Sequence, residues 1–278
     1  MNLIRAELLK IRTTNTWWIF ALVALPLWGL TMLVNYLISV ELLRNPEQLG
    51  AAQEQGQDVE QLRAASEVVN IAANLYTTGQ RFGVLIVMLL GIIVVTNEFF
   101  HQTATTTFLT SPHRSAVIVA KLAVAAVLGG LFWLLTTALN LALVPVILGS
   151  LDVGTQLGDG AVWRSIVLNG LAYLLWSIFG VGVGVLIRSQ IGATVTAIVA
   201  YFAGWIGAAI FFSTVATRFG DWINNLQLFV PSLASELMVS GTALPGNPPQ
   251  WAGAVVLTGY AVVTGLIGTM IVRRRDIS

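Results

Sequence analysis

The residues best equipped for chemistry crowd into one stretch, Thr96–Arg114, which reads TNEFFHQTATTTFLTSPHR. It holds an acid (Glu98), both histidines of the chain (His101 and His113), a run of threonines, and Ser111, Pro112 and Arg114. Histidine and carboxylate are metal-ligand types, but a metal site needs further ligands on a shared face, and the HEXXH spacing is absent. There is no cysteine, so disulfides, thiolate zinc sites and cysteine nucleophiles drop out together. A phosphate loop needs Gly-x4-Gly-Lys-Ser/Thr, so that backbone N–H groups and a lysine wrap the phosphates. The two lysines, Lys10 and Lys121, sit in AELLKI and IVAKLA, and neither follows a glycine loop. Asp58, Asp152, Asp159 and Asp221 lie outside the apolar runs, which leaves no aspartate pair for intramembrane proteolysis. The expectation is a chain with no reaction, metal or cofactor of its own.

The elements that must carry this polar island are apolar. Hydrophobic residues make up 56% of the 278-residue chain and charged residues only 10%, against about 25% charged in soluble domains. So few charges point to an all-α membrane protein. The near-zero net charge removes the global field that gathers nucleic acid. A helix crosses the hydrocarbon core with about 20 residues, and six stretches qualify: Trp17–Val40, Phe82–Thr96, Ala116–Leu148, Ser165–Ile187, Ile191–Ala216 and Trp251–Val272. The second is short and is expected to start earlier, inside the polar segment before it. The first is longer than the ~7–15 residues of a signal-peptide core and lacks a following cleavage site, so it reads as a span. The span interiors hold no ionisable group, since Glu98 and Lys121 sit near span ends, which argues against a proton relay. Asn35, Asn140 and Asn169 are the most polar interior residues and are expected to bond between helices. No pair of matching broken helices is visible. Gly180 and Gly184 give one GxxxG spacing, suited to close helix approach.

Basic residues orient the spans. Arg5, Lys10, Arg12, Arg114, Lys121, Arg188 and Arg273 to Arg275 fall on one side, while Arg44, Arg63, Arg81, Arg164 and Arg218 are spread over longer loops on the other. Both termini are therefore expected in the cytoplasm, and the island with them. Residues 1–16 read as an amphipathic interfacial helix with Ile4, Leu8 and Ile11 on one face and Arg5, Glu7 and Lys10 off it, or more simply as a basic anchor. Residues 41–81 form a long outside loop, in which Gln57–Tyr76 has a weak helical period (Val59, Leu62, Val69, Tyr76). Residues 217–250 are too polar to span and too apolar for a free loop; they read as a re-entrant outside segment of short helices broken at Pro231–Ser232. In the island, 97–115, Pro112 starts a new helix with Ser111 as its N-cap, and Arg114 and Lys121 anchor that helix at the interface.

The island then resembles a family. Asn97-Glu98-Phe99, Thr103, Leu109-Thr110-Ser111-Pro112-His113-Arg114 and Lys121, together with the opening AELLKIRTTNTWW, are similar to the permease subunits of ABC-2-type transporters. The six-span layout agrees over nearly the whole chain. One departure is Gln102, where the family carries glycine. The resemblance implies a bacterial cytoplasmic-membrane exporter with a single transmembrane permease domain, 1–278, and a coupling segment that docks on a separate ATPase. Glu98, Phe99, His101, Thr103, Ser111, Pro112 and Arg114 would then be the coupling residues. It also implies two ATPase copies holding ATP and Mg, a second and identical permease copy, and a substrate path walled by spans two and five. Tyr201, Trp205 and Phe212 lie close to one face of span five and are the candidate lining. Three functions stay open: export of a drug, antibiotic or peptide; export of a lipid or lipid-linked glycan; and a non-transporting sensor or assembly factor.

Overall fold

The computed structural model describes residues 2–44, 63–103, 114–219, 221–242 and 247–274. In chain order its helices are α1 (Asn2–Thr13), α2 (Thr16–Arg44), α3 (Val68–Tyr76), α4 (Gln80–Phe100), α5 (Arg114–Ser150), α6 (Gly160–Ile187) and α7 (Gln190–Phe219). A 3₁₀ segment (Asp221–Phe229), α8 (Pro231–Val239) and α9 (Gln250–Arg274) follow. Among the described residues six helical stretches are long and apolar enough to cross a membrane: Thr16–Arg44, Val68–Phe100, Ala116–Ser150, Gly160–Ile187, Gln190–Phe212 and Gln250–Met270. The chain is a multi-pass membrane protein. Helices suit this composition because every backbone group is satisfied within the segment, as hydrocarbon requires.

α4 and α6 form the centre. Val84, Val87 and Ile92 of α4 and Ala172, Tyr173, Trp176 and Val181 of α6 are buried. Their backbones touch: a Cβ added at Gly91 would lie 2.2 Å from the Ser177 carbonyl oxygen, and one at Gly180 would lie 2.1 Å from that of Met88. Gly184 repeats the contact one turn on, against the Ile92 carbonyl. The GxxxG spacing is thus the seam of the core, and dispersion contacts between such close backbones drive helix pairing where water does not. α5 packs across this pair, while α2, α7 and α9 form an outer ring. That ring turns bulky apolar side chains outward, with Leu22, Ile191 and Val255 at 63%, 70% and 59% exposure.

Two expected loops are partly helical. Span two begins at Val68, well inside the segment read as loop 41–81, because Ile71, Ala72, Ala73, Leu75 and Tyr76 of α3 are all buried. The earlier start expected for span two is thus met, although Asn70, Asn74, Thr77, Thr78 and Gln80 lower the hydropathy of this part of the run. Residues 57–62 of the expected helix lie outside the described residues. In 217–250 the break falls at Val230, and Pro231 opens α8 at a position where proline's missing N–H costs nothing. α8 buries Ala234 and Met238 against α9, where a Cβ on Gly253 would lie 2.3 Å from the Ala234 carbonyl oxygen.

Candidate functional site

The first cluster joins α1, α4 and α5 at one end of the bundle. Lys10 Nζ donates to Glu7 Oε1 at 2.6 Å and to Glu98 Oε1 at 2.7 Å. Lys121 Nζ donates to Glu7 Oε2 at 2.9 Å and to the Val94 carbonyl at 3.0 Å, and it lies 3.0 Å from Glu98 Oε1. Two carboxylates and two ammoniums therefore alternate with no net charge. Lys121, Glu7 and Glu98 are almost fully buried, while Lys10 remains half exposed. Burial raises the Glu7 carboxyl, but the charge of Lys121 and hydrogen bonds from both lysines outweigh it and hold the group below the usual carboxylate range. For Lys10 burial lowers the ammonium, and its bonds to Glu7 and Glu98 raise it further than burial depresses it.

This corrects one expectation. Lys121 is not an interfacial anchor; it is the most enclosed cation of the cluster. α1 turns most of its expected apolar face outward. Its buried residue is Glu7, while Ile4, Leu8 and Leu9 face outward and Arg5 is exposed. Charge docks α1 on the bundle, with Ile11 packed against the core beside it. The sequence displayed each of these residues but not their pairing, which joins Glu7 to Lys121 across three elements.

From the cluster α4 runs on to Phe100 and ends in a built turn. Thr103 N–H donates to the Glu98 carbonyl at 2.9 Å and Gln102 N–H to that of Phe99 at 3.3 Å. This pair of bonds is a Schellman closure, with the residue after the cap in the left-handed region. That residue is Gln102, at φ 56°. A residue with a side chain holds this conformation at a steric cost of roughly 1–2 kcal/mol. Phe99 is half-buried beneath the Arg188 guanidinium, 5.6 Å from its ring, so the turn between α6 and α7 meets the end of α4. Phe100, which the sequence reading passed over, is 61% exposed and packs edge-on against exposed His101 at 5.1 Å. Ser111 and Pro112 lie outside the described residues, and Arg114 is placed only as the first residue of α5.

At the other end of α4 span two is broken. Thr77, Thr78 and Gly79, at φ 93°, separate α3 from α4. A break frees carbonyls that hydrocarbon would leave unsatisfied, and a side chain from α5 takes up two of them while tyrosines from α6 and α7 bond to the backbone alongside. Asn140 Nδ2 on α5 donates to the carbonyls of Tyr76 and Thr78 at 2.9 and 3.0 Å. Tyr173 Oη on α6 donates to Gly79 and Tyr201 Oη on α7 to Arg81. Trp28 Nε1 orients Asn140 from α2, and Asn35 Nδ2 donates to Thr78 Oγ1. Asn35 and Asn140 thus bond between helices as expected; Asn169 is buried without a hydrogen-bond partner among the described residues. The broken helix was unread because its turn contains no proline.

Beside the break lies a cavity of about 530 Å³ between α2, the α3–α4 junction, α7 and α8. Trp205 lines it, with the Arg81 guanidinium stacked 4.5 Å above its ring. The other two candidate lining residues do not. Tyr201 is buried against Trp176, and Phe212 belongs to a separate cluster with Ala208, Val230 and Leu233. Among the described residues no group of three or more His, Cys, Asp or Glu is placed to hold a metal. No protein-family model matches the chain, and no curated protein matches its sequence at a significant level.

Proposed function

We propose that the chain is the membrane-spanning subunit of an ATP-driven exporter of the ABC-2 type, moving a hydrophobic or amphipathic substrate out of a bacterial cell. In this reading the end carrying α1, Glu98 and Arg188 faces the cytoplasm, and two copies of a separate ATPase, holding ATP and Mg, dock there. A second copy of the chain completes the path. Lipid bilayer is the remaining partner, and nucleic acid is not one. The 217–250 segment then dips back into the outer leaflet.

The observation that carries the reading is the ionic joint continuous with an exposed turn. Phe100 and His101 project from the end of a helix that Glu7, Lys10 and Lys121 grip by Glu98. Force applied to that turn is delivered to α4 and α5 together rather than absorbed by a loose loop. α4 is about 30 Å long at ~1.5 Å per residue, and its far end is the broken segment beside the cavity. A coupling claim requires an element with two arrangements that both sites bias; in this proposal that element is α4, which packs backbone to backbone on α6 and joins α3 through Gly79. Lipid export is the second reading, favoured by the cavity's position beside outward-facing Leu30, Val34 and Ile38 of α2.

The test is gentle purification of the tagged chain from its native cells. An ATPase subunit is expected at one copy per chain. Phe100→Ala should release it while the chain stays folded, and Phe99→Ala should retain it and mainly loosen packing against Arg188. No ATPase with the native chain, or equal retention by Phe100→Ala, would remove the docking role.

A further inference from the structure

The geometry points to the 530 Å³ cavity as a binding site for a zwitterionic amphiphile, one carrying an anion and an ammonium within a single head group. The inference deepens the exporter reading by naming the charge class of its substrate, and it rests on that reading for the word substrate but not for binding. Its volume lies in the range of small-molecule sites, about 300–1,000 Å³.

The lining is two-sided. Leu30, Val34 and Ile38 of α2 form an apolar flank whose residues also face outward, so a hydrocarbon chain can lie across it into the surrounding membrane. The opposing flank presents Arg81 and Glu236, joined by a 3.0 Å hydrogen bond from Arg81 Nε and a 2.9 Å contact from Nη2. These side chains are 44% and 36% exposed, at the end of α4 away from the ionic joint. Asn35, Asn74 and Ser240 add uncharged polar contacts.

Charge decides the ligand class. An anion entering alone would compete with Glu236 for Arg81, and a lone cation would compete with Arg81 for Glu236, so either must displace an existing partner. A neutral head group would have to compete with an intact ion pair. A zwitterion is the one class that engages both, its anion on Arg81 and its ammonium on Glu236. The Trp205 face already carries a cation at 4.5 Å, so an ammonium displacing the guanidinium finds an aromatic surface waiting.

The test is native mass spectrometry of the purified full-length chain from mixed micelles containing equal phosphatidylethanolamine, phosphatidylglycerol and diacylglycerol. Phosphatidylethanolamine should be retained about tenfold over the other two, equivalent to about 1.4 kcal/mol. Glu236→Gln should shift retention to phosphatidylglycerol, and Arg81→Gln, tested with an equal amount of a trimethylammonium diacyl lipid added, should shift it to that cation. A variant that merely unsettled the fold would lower all three alike. Displacement by dodecylphosphocholine would assign the site to single-chain amphiphiles, and resistance to it would assign a two-chain phospholipid; both support the charge class. Equal retention of the three lipids, or unchanged preference in both variants, would overturn it. No ATPase is present in this experiment, so its failure is distinct from failure of the exporter reading.

Discussion

Lys121 uses all three of its N–H directions inside the protein: on Glu7, on Glu98 and on the Val94 carbonyl. Removing one partner from a buried ionic set strands the others, at about 3–5 kcal/mol, although the set as a whole contributes far less net stability. Lys121→Met should therefore lower thermal stability in detergent by about that amount. Adding Glu7→Gln should restore roughly 1–3 kcal/mol, since the Lys10–Glu98 pair then stands alone and balanced. Additive losses in that cycle would mean the residues are not coupled. The same cluster sets a pH window through Glu7 and Lys10 on α1, which face Glu98 of α4 and Lys121 of α5. Glu7 titrates lower folded than its ordinary 4.5, so its contribution is complete above 4.5 and lost as pH falls through the folded value. Lys10 titrates above its ordinary 10.5, so its contribution is complete below 10.5 and lost only as pH rises past the folded value. Spin labels on Arg12→Cys and Gln102→Cys should report one narrow distance from about pH 5 to 9, broadening only under stronger acid. Broadening near pH 7 would place a different group in control. The sequence showed Glu98 and Lys121 as polar residues near span ends; it did not show Glu7 between them, because a partner chosen across the fold leaves no local pattern.

Elements were legible where a single property defined them. Five of the six spans announce themselves by unbroken apolar windows, and the structure extends them by a few residues at most of their ends. Span two was only half legible: α4 is apolar, but α3 and the Thr77–Gly79 turn carry the amides and hydroxyls that hold the break. Those groups look like a loop to any hydropathy scale and like a hub once Asn140, Tyr173 and Tyr201 close on them. The glycine spacing, in contrast, carried its meaning directly. Gly180 and Gly91 face each other across the α4–α6 seam, each with a carbonyl where a methyl would go. Gly180→Ala must push two backbones apart, and overpacking of that kind costs about 1–3 kcal/mol or more. Gly149→Ala, with open space around it, should be neutral or slightly stabilising by its gain in helix propensity. Thermal unfolding of the two variants in one detergent checks the contrast. Equal midpoints would mean that the seam is looser than the contacts describe.

For the whole molecule the open question is which end faces the cytoplasm, and the charges that decide it are not equal votes. Lys10 and Lys121 are neutralised within the ionic joint, and Arg81 is paired with Glu236. The Arg164 guanidinium is tied to the Gly241 carbonyl. On the α1 end Arg5 and Arg12 are exposed and Arg188 stacks on Phe99; the sequence adds Arg273 to Arg275 after the last span, and on the other side Arg44 and Arg63 flank a long segment. Basic residues close to span ends in short segments retain most of the orienting force, so the bias survives the pairing and rests chiefly on the C-terminal arginines. The chain has no native cysteine, so single-cysteine variants report without background. Thr242→Cys should react with an impermeant maleimide added to intact cells, and Gln102→Cys should react only after the membrane is opened. Replacing Arg273 to Arg275 with serine should produce a mixed population in which both sites label partially. The reverse pattern in the intact-charge background would invert the molecule, put the exposed Phe100 turn outside, and leave an ATP-dependent partner no surface at that end to push.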